Sequence, residues 1–64
     1  MKMKYDKEND VLYIQFSENV VAESDSEKPG IILDFDAKQN IVGIEVLNAS
    51  KKMAYPFKVE YEVA

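Results

Sequence analysis

Short runs rich in apolar residues and short polar runs follow one another along this chain, the block pattern of strands joined by turns. MKMKY is followed by polar DKEND and then by VLYIQF, while IILDF is followed by DAKQN and then by IVGIEVL. The flanking runs are rich in β-branched and aromatic residues, which suit a pleated surface. YDKENDVLYI and FDAKQNIVGI are one pattern written twice, at an offset of 30 residues. In each an Asp opens the turn, and Asn9 or Gln39 falls where a type I turn with a bulge wants a left-handed residue. Two similar β-hairpins are therefore predicted, in units of about 1–16 and 31–47.

Between them, VVAESDSEKPG reads as a connecting strand from about Val20 to Ser24, then a polar loop closed by the turn pair Pro29 and Gly30. After the second hairpin, Asn48 is placed to cap one or two helical turns ending in lysines. Pro56 stops the helix. FKVEYEV then sets Phe57, Val59, Tyr61 and Val63 on one face and Lys58, Glu60 and Glu62 on the other, which predicts a C-terminal strand. The expected fold is mainly β (β-rich α+β). It is an antiparallel sheet of two hairpins with a connecting strand, one short helical segment and a C-terminal strand, all in one domain, 1–64.

Turns of the proposed form make opposed residues share parity. Met3 and Tyr5 then lie with Val11 and Tyr13, and Lys2 and Lys4 with Leu12, Ile14 and Phe16. Ile31, Leu33 and Phe35 lie with Ile41, Gly43, Glu45 and Leu47, and Ile32 and Asp34 with Val42, Ile44 and Val46. Both faces come out substantially apolar. One short helix does not cover two faces, so either barrel closure or a second subunit is expected, with a homodimer preferred.

Composition narrows the chemistry. A chain of 64 residues has room for one small core, and chains of this size need tidy packing, a staple or a partner. Cysteine and histidine are both absent, which excludes disulfides, thiolate nucleophiles and zinc-finger chemistry. Net charge is −4 and every basic residue is lysine. Without arginine, the usual reader of phosphate and guanine, direct nucleic-acid binding is not expected, and an acidic surface suits a basic partner. MKMKYD lacks an apolar secretory core and no long apolar run occurs, so a cytoplasmic address away from membranes is the default.

YDKENDVLYI near the start, PGIILDFDAKQNIVGIEVLNASK in the middle and the small size together resemble the prokaryotic family known as domain of unknown function 2283. Gly43, Ile44 and Glu45 with Asn48, Ala49 and Ser50 carry the most specific part of that resemblance. Gln39 departs from it, standing where the family commonly has a turn glycine, and the residues from Phe57 on lie outside the pattern. The resemblance implies no assigned activity. It suggests an antitoxin-like role, since some members lie beside a small toxin-like gene of another family, although no basic DNA-binding arm is visible here.

The candidate polar cluster is Asp34, Asp36, Glu45, Asn48 and Ser50. Asp34 and Asp36, two apart on a strand, share a face and with Asn40 could hold a hard cation; the plainer alternative is that Asp36 caps its own turn and Asp34 is solvated. Glu45, placed opposite Ile31 on an apolar face, would gain a raised pKa suited to acid–base work. Its alternative is a rim position paired to Lys51 or Lys52, or hydrogen-bonded near Ser50. Ser17 and Ser50 have no histidine to activate them and read as turn or capping residues, and Tyr5 and Tyr13 read as core. No catalytic residue, metal or cofactor is assigned. A protein-interaction module is favoured, as a homodimer or with a basic, toxin-like partner. A small ligand-binding or hydrolytic protein using Glu45 and Asp34, or a structural subunit of a larger assembly, is the alternative.

Overall fold

The computed structural model describes residues 1–64. Five strands and one short helix follow in order: β1 (Lys2–Asp6), β2 (Val11–Gln15), β3 (Glu23–Lys28), β4 (Ile31–Phe35), β5 (Ile41–Leu47) and α1 (Ala49–Lys52). The strands form one open sheet in the order β1-β2-β5-β4-β3, antiparallel throughout. The chain is mainly β, with both predicted hairpins and the short helical segment after Asn48. No helix is long and apolar enough to cross a membrane.

The turns explain where the register departs from expectation. In the first hairpin residues 7–10 lie between the paired Asp6 and Val11, and the left-handed residue is Asp10 (φ 54°), not Asn9. That loop sets Met3 against Ile14, Lys4 against Tyr13 and Tyr5 against Leu12, so opposed residues differ in parity. In the second hairpin Gln39 is left-handed as expected (φ 66°), and Phe35 pairs with Ile41. A β-bulge beside Phe35 then flips the parity of the rest, giving Asp34–Gly43, Leu33–Ile44 and Ile31–Val46. Both turns nonetheless start alike: Asp6 accepts backbone N–H bonds from Glu8 and Asn9, and Asp36 from Lys38 and Asn40.

The corrected register separates the faces. Met3, Tyr5, Leu12, Ile14, Ile31, Leu33, Val42, Ile44 and Val46 share one side, and Lys2, Lys4, Tyr13, Gln15, Ser24, Asp34 and Glu45 share the other, with Val11, Ile32 and Leu47 among them. Only one face is broadly apolar, so the expectation of two is corrected. Leu12 and Val42 are the largest fully buried side chains.

Two strand predictions are also corrected. The connecting strand lies at Glu23–Lys28, leaving Val20 and Val21 exposed. Pro29 and Gly30 make a tight turn, with Gly30 at φ 80°, and this joins ESDSEK to β4 as a polar edge strand. Its pairing comes from the backbone, and charged side chains guard an edge, so apolar content does not locate it. The predicted C-terminal strand does not form, because residues 57–63 have no neighbouring strand to pair with. Phe57 alone packs, edge-on to Tyr5 with ring centroids 4.8 Å apart and beside Tyr55 at 5.1 Å.

The repeat has a geometric meaning. A shift of 30 residues carries Leu12 onto Val42 and Ile14 onto Ile44. Ile14 is paired directly with Ile44 in the β2–β5 ladder. The two hairpins are therefore related by a local twofold axis through that pair, and Leu12 and Val42, the largest fully buried side chains, are equivalent about it.

Candidate functional site

The polar face carries a line of side chains across four strands. Gly43 lies on β5 between Gln15 of β2 and Asp34 of β4. With no side chain at Gly43, the Tyr13 ring lies over it and its hydroxyl donates to Asp34 Oδ2 at 3.4 Å. Ser24 Oγ on edge strand β3 donates to Asp34 Oδ1 at 2.6 Å. Asp34 is buried and both of its carboxylate oxygens are engaged, which a buried carboxylate requires. Burial first, and then the Asp34 charge, pushes the Tyr13 phenol up from its ordinary pKa.

Glu45 is half-buried on this face, between Tyr13 on β2 and Ile32 on β4. Ile32 is its neighbour because the bulge moves it away from the expected Ile31. The alternative pairing to Lys51 or Lys52 does not form either: Lys52 Nζ instead donates to the carbonyl oxygens of Leu47 at 2.8 Å and Pro29 at 3.5 Å.

A second cluster joins the first turn to α1. Asp10 Oδ1 accepts from Tyr5 Oη at 2.6 Å and from the Ser50 backbone N–H at 2.9 Å, and its Oδ2 accepts from Ser50 Oγ at 2.7 Å. The Asp10 carbonyl accepts from the Ala49 N–H at 3.0 Å. Asp10 thus caps α1 from a distant turn. Asn48 holds the N-cap position with φ 54° but makes no side-chain cap hydrogen bond, which corrects its expected role; only its carbonyl takes part, accepting from Lys51 and Lys52. The bond from Tyr5, then those from Ser50, hold the Asp10 carboxyl below the usual carboxylate range, and the Tyr5 phenol is pushed up to about 12, chiefly by its bond to Asp10.

Asp36 does what the plainer alternative foresees. It accepts the N–H groups of Lys38 and Asn40, each at 2.9 Å, and the side-chain amides of Asn40 and Asn19. The Asn40 backbone N–H above all holds its carboxyl below the usual range. Asp34, by contrast, is buried and hydrogen-bonded, not solvated. The five predicted residues do not converge: Asp34 and Glu45 lie on the polar face, Asp36 in the second turn, and Asn48 and Ser50 at α1. No group of three or more acidic side chains is arranged to hold a metal ion. Tyr13, Gly43, Ser24 and Asp10 are the partners the sequence reading overlooked. The available signal was Gly43, since a glycine inside a strand marks close approach of another group.

These features define a small open-sheet protein of two twofold-related hairpins, with a hydrogen-bonded polar face and an apolar face. The chain belongs to the family described as Protein of unknown function (DUF2283), whose sequence profile matches residues 2–50. It is 41% identical over 51 residues to Uncharacterized protein MJ0789 of Methanocaldococcus jannaschii, a match covering 80% of this chain and 43% of that one. The chain thus spans less than half the length of that relative. No solved structure matches it.

Proposed function

We propose that this chain is a protein-interaction module that binds through its apolar sheet face, with a second copy of itself as the partner that covers it. The observation that carries this reading is the shortage of buried surface. Only six of 64 residues are buried, and Ile14, Ile31, Leu33, Ile44 and Val46 on the apolar face are only partly buried. A compact monomer of 7.3 kDa exposes about 4,200 Å², whereas this chain exposes 5274 Å². The surplus, about 1,100 Å², compares with the roughly 800 Å² each partner contributes to a standard interface. It is shared between the apolar face and the extended residues after Pro56. A twofold contact uses one patch twice and needs no additional sequence.

Binding rather than turnover fits the polar groups, since Asp10, Asp34 and Asp36 are each engaged in internal hydrogen bonds. The exposed acidic edge of β3, with Glu23, Asp25 and Glu27, supports a further contact with a basic, toxin-like protein. Sedimentation equilibrium over a wide micromolar dilution range tests the reading. A dimer that Ile44→Gln converts to a folded monomer supports it, and a wild-type monomer at every concentration overturns it.

A further inference from the structure

Residues 58–63 carry a strand pattern and have no partner strand. Val59, Tyr61 and Val63 are 70%, 90% and 78% exposed, and alternate with Lys58, Glu60 and Glu62. Lys58 and Glu60 lie on the same side of the extended chain, Nζ to Oε1 3.0 Å, as residues two apart on a strand do. The sheet meanwhile has two open edges, β1 and β3. The acidic β3 repels Glu60 and Glu62, whereas β1 presents Lys2 and Lys4.

We infer that residues 58–63 of one copy add as a sixth, antiparallel strand to β1 of a second copy, setting Lys58 opposite Asp6, Glu60 opposite Lys4 and Glu62 opposite Lys2. The same register sets Val59 against Tyr5, Tyr61 against Met3 and Val63 against Met1, all on the apolar side. Every opposed pair is then either oppositely charged or apolar, the combinations that stabilise cross-strand neighbours. Sliding the segment by two residues one way sets Lys58 against Lys4, and the other way sets Glu60 against Asp6. A slide of one residue mixes the two faces. The segment leaves the sheet on its apolar side, through the contact of Phe57 with Tyr5, and that is where the proposed second copy sits. The inference deepens the self-association reading, and adds a contact separate from the apolar face.

Two charge-reversed chains test it, one carrying Lys2→Glu with Lys4→Glu, the other Glu60→Lys with Glu62→Lys. Each alone is expected to dimerise about tenfold or more weakly in sedimentation equilibrium, with its circular dichroism retained. Mixed in equal amounts they restore wild-type affinity as a heterodimer, because each β1 then meets a complementary segment from the other chain. Pairing of the segment with β1 of its own chain is not rescued by mixing, so weakening without rescue overturns the inference. Reversed chains that dimerise like wild type overturn it too, and leave the apolar-face reading standing; a monomeric wild type defeats both. Tyr61→Asp is an independent check, since Tyr61 is almost fully exposed in the single chain. It should weaken the dimer without altering the fold, and unchanged affinity counts against the inference.

Discussion

Replacing Gly43 by alanine probes the tightest contact on the polar face. A Cβ added there stands 2.7 Å from Tyr13 Oη, 3.0 Å from Tyr13 Cζ and 2.9 Å from the carbonyl oxygen of Ile14. Ordinary contacts between such atoms fall near 3.5–4.0 Å. Moving the Tyr13 ring aside would relieve the contact but remove its hydrogen bond to Asp34, which is already long at 3.4 Å. The Ile14 carbonyl belongs to the backbone of the central ladder and yields less easily. Overpacking of this kind costs about 1–3 kcal/mol, and relief from the conformational freedom of glycine in a strand returns roughly 0.5–1 kcal/mol. The net expectation is a destabilisation of about 1–2 kcal/mol. With a urea slope near 1 kcal/mol per molar for so small a domain, the unfolding midpoint should fall by about 1–2 M. Repeating the substitution in a Tyr13→Ala background separates the two obstacles, because only the ring is then gone. A smaller cost in that background is the expected outcome. A neutral or stabilising Gly43→Ala, or an equal cost in both backgrounds, would refute the packing of Tyr13 over Gly43.

Leu12→Ala should cost about 2–5 kcal/mol in the same assay, a large share of a small domain's stability, since Leu12 is fully buried; a loss under about 1 kcal/mol would deny it a core role. Asp10→Ala should speed hydrogen exchange at the Ser50 amide, its direct partner, while the Ala49 amide, bonded to the Asp10 carbonyl, is less affected; equal change at both would count against side-chain capping of α1. Asp6, Asp10 and Asp36 have carboxyls below their ordinary pKa, so they contribute stability above about pH 4 that is lost as pH falls further. Urea midpoints that stay flat from pH 5 to about pH 2 would contradict this. The Tyr5 phenol, raised to about 12, contributes stability that is full below about pH 10 and lost as pH rises towards 12. Tyr5→Phe should flatten the alkaline decline, though not abolish it because Tyr13 is raised as well.

The hairpins were legible in the sequence because β-branched and aromatic runs and turn-opening aspartates are local signals, and Asp6 and Asp36 act locally. The register was not. It depends on whether the loop holds one residue more or fewer and on a bulge beside Phe35, and each such change exchanges the two faces of a strand. That single geometric fact displaced Glu45 from an apolar setting to the side of Tyr13 and turned two apolar faces into one. β3 was hidden because an edge strand held by backbone bonds needs no apolar side chains. The capping of α1 was misassigned to Asn48 because the carboxylate that caps it comes from a turn nearly forty residues earlier, a contact the spacing of nearby residues cannot reveal. Of the site, Asp36 and its turn were readable. The Tyr13–Asp34–Ser24 line was not, because it joins strands that become neighbours only in the folded sheet.

The local twofold axis also sorts the residues by role. Positions that keep their character across the 30-residue shift are framework: Asp6 and Asp36 begin the turns, Leu12 and Val42 fill the centre, and Ile14 and Ile44 meet on the axis. Positions that break it are where one half does something the other does not. Tyr13 answers to Gly43, and the difference is what lets a ring from one hairpin lie across the other to reach Asp34. Lys4 answers to Asp34, so opposite charges occupy equivalent places. Asp10 answers to Asn40: the first caps α1, while the second turns back onto Asp36. The broken positions lie on the polar face or at the sheet's end, whereas the axis itself emerges through the matched isoleucines of the apolar face. A surface that already repeats itself about an axis offers a second copy two equivalent halves to meet, so the hairpin repeat and the self-association reading draw on the same geometry.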